Sequence, residues 1–208
     1  MPTQTDLAQD CLDRVLVCAS GKDWSNVIRA MIYLGAHPTR ALYTAVSSGQ
    51  SDNVSILLQS GAIVEGRGEQ SSTALHIASY RGYKSIVNLL LDTRADPNFV
   101  DDNGATSLHA ASQAGHIEIV KNLLDRGADI SWEDLSGITA LHIAAQAGNE
   151  ELTQSLIEYG ASVNAEDKDG STPLQIVSGE GYEELAKLFI QVVRISTLLT
   201  DMAILRYE

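Results

Sequence analysis

Leu42, Leu75, Leu108, Leu141 and Leu174 follow one another at intervals of 33 residues, with no insertion between the first and the last. Around each leucine the apolar positions fall into two short runs of helical spacing, punctuated by glycine. The cleanest period is 101–133. Asp101, Asn103 and Gly104 predict a turn, because glycine can take positive φ and Asp or Asn can bond the local backbone. A short helix is expected over 107–114, with Leu108, Ala111 and Ser112 on its packing side, and Gly115 ends it. A second helix is expected over 117–125 from Ile119, Val120, Leu123 and Leu124, closed by Gly127. Residues 128–132 then lead out as an extended arm. Neither helix is long enough to persist alone, so each must be buried against the copies before and after it.

The copies share more than leucine. Thr73, Leu75 and His76 return as Thr106, Leu108 and His109, and again as Thr139, Leu141 and His142. The last copy reads Thr172, Leu174 and Gln175, and the first is degraded to Arg40, Leu42 and Tyr43. With the Gly115-His116 turn and the Gly127-Ala128-Asp129 ending, the pattern resembles the ankyrin repeat family. That resemblance implies an all-α solenoid with short β-hairpin arms, forming a single elongated domain of five in-phase repeats after an N-terminal capping repeat. The expected divisions are a capping helix pair at 1–36, repeats at 37–67, 68–100, 101–133, 134–166 and 167–192, and a C-terminal apolar helix at 193–208. The join after the cap is irregular: Ala36 to Leu42 is six residues where Ala161 to Leu174 takes thirteen, so one arm is missing and a tight turn is expected at His37 and Pro38. At the other end Val193 stands where a closing glycine belongs, and Ile195, Leu198, Leu199, Met202, Ile204 and Leu205 continue the apolar pattern. This stretch reads as a cap folded back on the last repeat, with a homodimer seam or docking on another domain as alternatives.

Composition narrows the function. Only two Phe and two Trp occur, so the core must be aliphatic and alanine-rich. A formal net charge of -13 argues against nucleic acid, whose phosphates require Lys and Arg to displace counterions. The acidity is concentrated: residues 133–187 hold eleven Asp and Glu against Lys168 and Lys187. Solubility accounts for that, and a basic partner segment is the alternative. Cys11 and Cys18, two turns apart and therefore about 10 Å from one another, are too far apart for a disulfide. They read as buried thiols in a reducing compartment, the cytoplasm, with the nucleus also compatible. No run of some 18 uncharged apolar residues is present, so no membrane span is expected.

Chemistry-bearing residues are sparse. His76, His109 and His142 occupy one repeat position; neighbours in such a row sit roughly 8–10 Å apart, beyond sharing a metal, and the resemblance gives them a role in hydrogen bonding within and between repeats. Asp101, Asp102, Glu133, Asp134, Glu166, Asp167 and Asp169 cluster on the arms, but the sixth-position glycine and twelfth-position glutamate of a calcium loop are missing. No nucleophile elbow or Ser/His/Asp arrangement is visible, so no enzyme signature, metal or cofactor is expected. The resemblance places ligand contacts on the arm tips and the exposed side of the inner helices. Mapped residue by residue, the candidates are Tyr80, Arg81, Phe99, Val100, Asp102, Gln113, Trp132, Glu133, Leu135, Ile138 and Gln146. Apolar residues among these are suited to anchoring a protein partner in a concave groove, with acidic residues on its rim. The alternative is a small-molecule-binding or catalytic groove, for which Tyr80, Arg81, His109 and Glu133 would be the polar groups. The Asn98 and Asn164 contexts also resemble those accepted by an asparaginyl hydroxylase.

Overall fold

A computed structural model describes residues 4–66, 68 and 71–204, except for the side chains of 4–8 and 195–204. The helices are α1 (Gln4–Ser20), α2 (Ser25–Tyr33), α3 (Pro38–Ser47), α4 (Ser51–Gln59), α5 (Ala74–Arg81), α6 (Lys84–Asp92), α7 (Ser107–Gln113), α8 (Ile117–Asp125), α9 (Ala140–Gln146), α10 (Glu150–Glu158), α11 (Pro173–Glu180) and α12 (Glu183–Ile204). They form six pairs, an inner helix followed by an outer one. Two compact units contain them, Met1–Ala128 and Asp129–Glu208. Among the described residues no strand forms, and no helix is long and apolar enough to cross a membrane.

In the first unit the inner helices α1, α3, α5 and α7 pack in succession, and the outer helices α2, α4, α6 and α8 do the same behind them. Small residues make this possible: Ala41, Ala45, Ala74, Ala78 and Ala111 are fully buried, letting inner helices approach closely. The repeat leucines Leu42, Leu75 and Leu108 are at most 1% exposed. Between outer helices the contacts are polar and recur at a spacing of 34. Lys84 pairs with Glu118 at 3.1 Å, Asn122 donates to Asn88 at 2.8 Å, and Arg126 pairs with Asp92 at 2.9 Å. In the second unit α9 packs on α11, with α10 and α12 against their own inner helices. Leu141 is buried there, whereas Leu174, the last of the series, is half-buried.

A ring over a glycine recurs at the turn between helices. Gly49, Gly82 and Gly148 have φ of +69°, +78° and +63°, and a Cβ there would meet the rings of Tyr83, His116 and Tyr182 respectively, at 3.0, 2.7 and 2.8 Å. His116, the second residue of the Gly-His turn, also donates from Nε2 to the Tyr80 carbonyl at 3.2 Å.

The ends depart from the regular pattern. Pro38 opens α3 directly after His37, so the arm before α3 is missing as expected. His37 takes its place as a tie: its backbone N–H donates to Asp13 Oδ1 at 2.7 Å, and its Nδ1 lies 3.0 Å from Asp13 Oδ2. The thiols are a correction. Cys11 and Cys18 are both exposed, because they lie on the face of α1 turned away from buried Leu16 and Ala19. At the other end α12 runs unbroken for 22 residues and prolongs the last outer helix, with no kink at which a separate helix folds back. Leu185 and Phe189 anchor its first half; the side chains of Ile195, Leu198, Leu199, Met202 and Ile204, and all of Leu205, lie outside the described residues.

Candidate interaction surface

Each inner helix starts from a capping box that also reaches the next arm. Thr73 donates its N–H to His76 Nδ1 at 3.2 Å, and the Thr73 hydroxyl lies 2.9 Å from the same nitrogen. Nδ1 is therefore an acceptor without a proton, and Nε2–H donates to the Ala105 carbonyl 29 residues on, at 3.0 Å. In the second unit Thr139 and His142 repeat the arrangement, with Nε2 3.2 Å from the Ser171 carbonyl. His109 is likewise buried, and its Nδ1 is held by the Thr106 N–H at 3.2 Å. That removes His109 from the polar groups available to a small-molecule groove. In α11 Gln175 substitutes for the ring, its side-chain oxygen accepting from the Thr172 N–H at 2.8 Å. At the degraded first copy Tyr43 takes the histidine's place. Burial, then the charge of Glu65, pushes its phenol up to about 12, and its ring runs beneath the backbone of Gly66 and Gly68.

His76 gives a pH prediction. Burial holds its imidazole below the ordinary 6.5, outweighing the upward pull of the Ala105 carbonyl and of the Asp101 and Glu65 charges. Below about pH 6.5 the unfolded chain therefore binds more protons at this site than the folded one. The neutral ring's contribution is complete above that pH, declines as pH falls below it, and levels off under the folded value. Urea midpoints should hold from about pH 8 to 7 and fall between about pH 6.5 and 5, more steeply than in His76→Gln, which copies the Gln175 solution.

The arms are tight turns. Asp101 Oδ1 accepts from the N–H groups of Asn103 and Ala105 at 2.8 and 2.9 Å. Asp134 binds Ser136 and Ile138 at 2.7 and 3.0 Å, and Asp167 binds Asp169 and Ser171 at 2.9 and 2.8 Å. These carboxylates are thus used in folding their own loops. Asp129 does likewise, and the hydroxyl and N–H of Ser131 hold its carboxyl below the usual range. Among the described residues no three His, Cys, Asp or Glu side chains converge as metal ligands. In the second unit the Lys168 N–H donates to the Ser136 carbonyl at 3.0 Å, joining adjacent arms.

Exposure divides the candidate contacts. In the first unit Tyr80 is 52% exposed at the end of α5, with Arg81 exposed beside it. Asp102 at an arm tip and Gln113 at the end of α7 are exposed, while Phe99 and Val100 are half-buried. In the second unit Leu135 is 63% exposed at its tip, Glu133 and Gln146 are exposed, and Trp132 and Ile138 are half-buried. Tyr80 and Leu135 are thus the fully presented anchors. Asn98 donates its amide to the Gly127 carbonyl at 3.0 Å, a bond between successive arms, and Asn164 is exposed. Sequence reasoning passed over Val15, Trp24 and Val27, which are 47%, 50% and 36% exposed on the first helix pair. Comparing α1 and α2 with the later pairs position by position would have found them.

Two family models match the chain. One, of ankyrin repeats in three copies, covers residues 42–134, and one of ankyrin repeats in many copies covers 123–177. Together they span more than half of the sequence, beginning at the first of the periodic leucines. No curated protein matches the chain.

Proposed function

The chain belongs to the ankyrin repeat family, and from that premise we propose that it holds a partner protein's segment along its arms and inner-helix ends. Ankyrin repeats are generally protein–protein interaction modules. The repeats proposed are five, at 37–67, 68–100, 101–133, 134–166 and 167–192, after a capping pair within 1–36; the helix pairs α3–α4, α5–α6, α7–α8 and α9–α10 lie inside the first four bounds.

Leu135 carries the reading. Its counterparts one repeat earlier and later are Asp102 and Lys168, charged side chains suited to a solvated tip. An aliphatic side chain left 63% exposed in that row gains nothing from the fold and is available to a partner. Tyr80 is the matching case, since its counterparts Gln113 and Gln146 are polar. Around Leu135 the charge is negative, from Glu133 through Glu166 and Asp169, which favours a partner segment with basic and apolar residues.

Leu135→Asp and Tyr80→Ala should each leave stability within about 0.5 kcal/mol, as surface changes do. Each should also lower recovery of specifically bound protein by ~10-fold, the loss expected for an anchor side chain. Gln154→Ala, on outer helix α10, should change neither. Quantitative mass spectrometry of material captured on each variant measures this. A bound set indifferent to both anchor substitutions would defeat the proposal.

A further inference from the structure

The outward side of the first helix pair is built like the stacking face of an internal repeat. Buried Leu16 and Ala19 of α1 match buried Leu42 and Ala45 of α3, which places Val15 in register with Ala41, and through it with Ala74 and Ser107. Those three are at most 1% exposed; Val15 is 47% exposed. Likewise Ile28 matches Val54, placing Val27 in register with Asn53, Ile86 and Ile119, which are at most 2% exposed where Val27 is 36%. In the later copies the preceding helix pair covers this face. Asn53 shows how, donating to the Ser20 and Lys22 carbonyls at 3.2 and 2.6 Å and accepting from the Ser25 hydroxyl at 2.9 Å.

The uncovered face is apolar. Cys11, Val15 and Cys18 are exposed along one stripe of α1, and Val27, Ala30 and Leu34 along one stripe continuing from α2, with Trp24 at its start. A terminal repeat that ends in water needs a polar outer surface, and this one lacks it.

Charge identifies the occupant. Residues 9–36 hold Asp10, Asp13 and Asp23 against Arg14, Lys22 and Arg29, a balance of zero in a chain of net charge -13. A strongly basic partner finds little attraction here. A two-fold contact brings a patch against its own copy, so it suits a patch whose charges sum to zero and include both signs. The Lys22 ammonium, 4.6 Å from the Trp24 ring centroid, already covers one aspect of that ring and leaves the indole half exposed for contact. We propose that this α1–α2 face pairs with the same face of a second copy, burying Val15, Trp24, Val27 and Leu34 of both. The proposal is independent of the partner surface on the arms.

Light scattering on the full chain tests it. The wild type should elute at twice 22.3 kDa at ~100 µM, where a Kd of ~10 µM leaves most of the protein paired. Val15→Glu with Val27→Glu should elute as the monomer, with Kd raised more than ~10-fold and an unchanged melting temperature. Cys11 and Cys18 are the chain's two cysteines and both lie on this face. A short bismaleimide should therefore link wild-type copies, and far fewer copies of the double variant. Should that variant fold poorly, Trp24→Ala with Leu34→Ser replaces it. A wild-type monomer at that concentration overturns the proposal. So does a dimer, or equal cross-linking, that survives the substitutions, which would place the contact elsewhere, as on α12.

Discussion

Gly137→Ala is expected to lower the stability of the second unit by roughly 2–4 kcal/mol, from left-handed strain and overpacking together. Gly137 has φ +77°, which L side chains adopt at a cost, and its Cβ would stand 2.9 Å from the Lys168 backbone nitrogen. That neighbour is main chain, so it cannot rotate away. The displaced atom is also the donor of the Lys168–Ser136 bond between arms, so the substitution strains the turn and separates the arms at once. Gly170 provides the control. It occupies the same turn position in the next arm, with the same φ of +77°, but nothing lies within 4 Å of its Cβ position. Gly170→Ala should cost only the conformational part, about 1 kcal/mol. Urea midpoints for the two variants, with hydrogen exchange at the Lys168 amide, separate strain from lost stacking. Equal losses would mean that the close approach carries no weight.

Phe189→Ala should be costlier still, about 3–5 kcal/mol, because it empties a fully enclosed aromatic site. Phe189 is 0% exposed on α12, and the helix has no later repeat to hold it in place. Ile190, the adjacent residue, is 49% exposed, and truncating it should cost less than about 1 kcal/mol. Thermal unfolding of the two variants checks the contrast. A small effect at Phe189 would show that the last repeat contributes little to the unit's cooperativity.

The stacking register was legible because two independent requirements coincide along the chain. A leucine must return to the core each period, and alanine must accompany it wherever inner helices touch. Leu42 with Ala41 and Ala45 displays both. The arms were legible as turns, since Asp at the start and Gly three residues later is local chemistry. That they form no strands was not, because a ladder depends on pairing across space. The cysteines were misplaced for a related reason. Thiols are usually buried, but burial on the outer side of α1 would need a preceding helix pair, and a composition argument carries no information about which side of a helix has a neighbour. Among the candidate contacts, Tyr80 and Leu135 were legible as apolar residues in polar rows. The half-burial of Phe99, Val100, Trp132 and Ile138 depends on how each arm folds over its own base.

The bond from His76 Nε2 to the Ala105 carbonyl gives the protein a means of counting its own residues. The ring and the carbonyl are 29 positions apart, as are His142 and Ser171, so each imidazole measures the length of the chain segment between them. Substitutions inside that segment leave its length unchanged. A one-residue deletion in α6, by contrast, turns the remainder of the helix by about 100° and draws in the following arm by about 1.5 Å, so the carbonyl no longer meets the ring. Drift in this gene should therefore proceed by replacement within periods and by gain or loss of whole periods, with single-codon indels removed by selection.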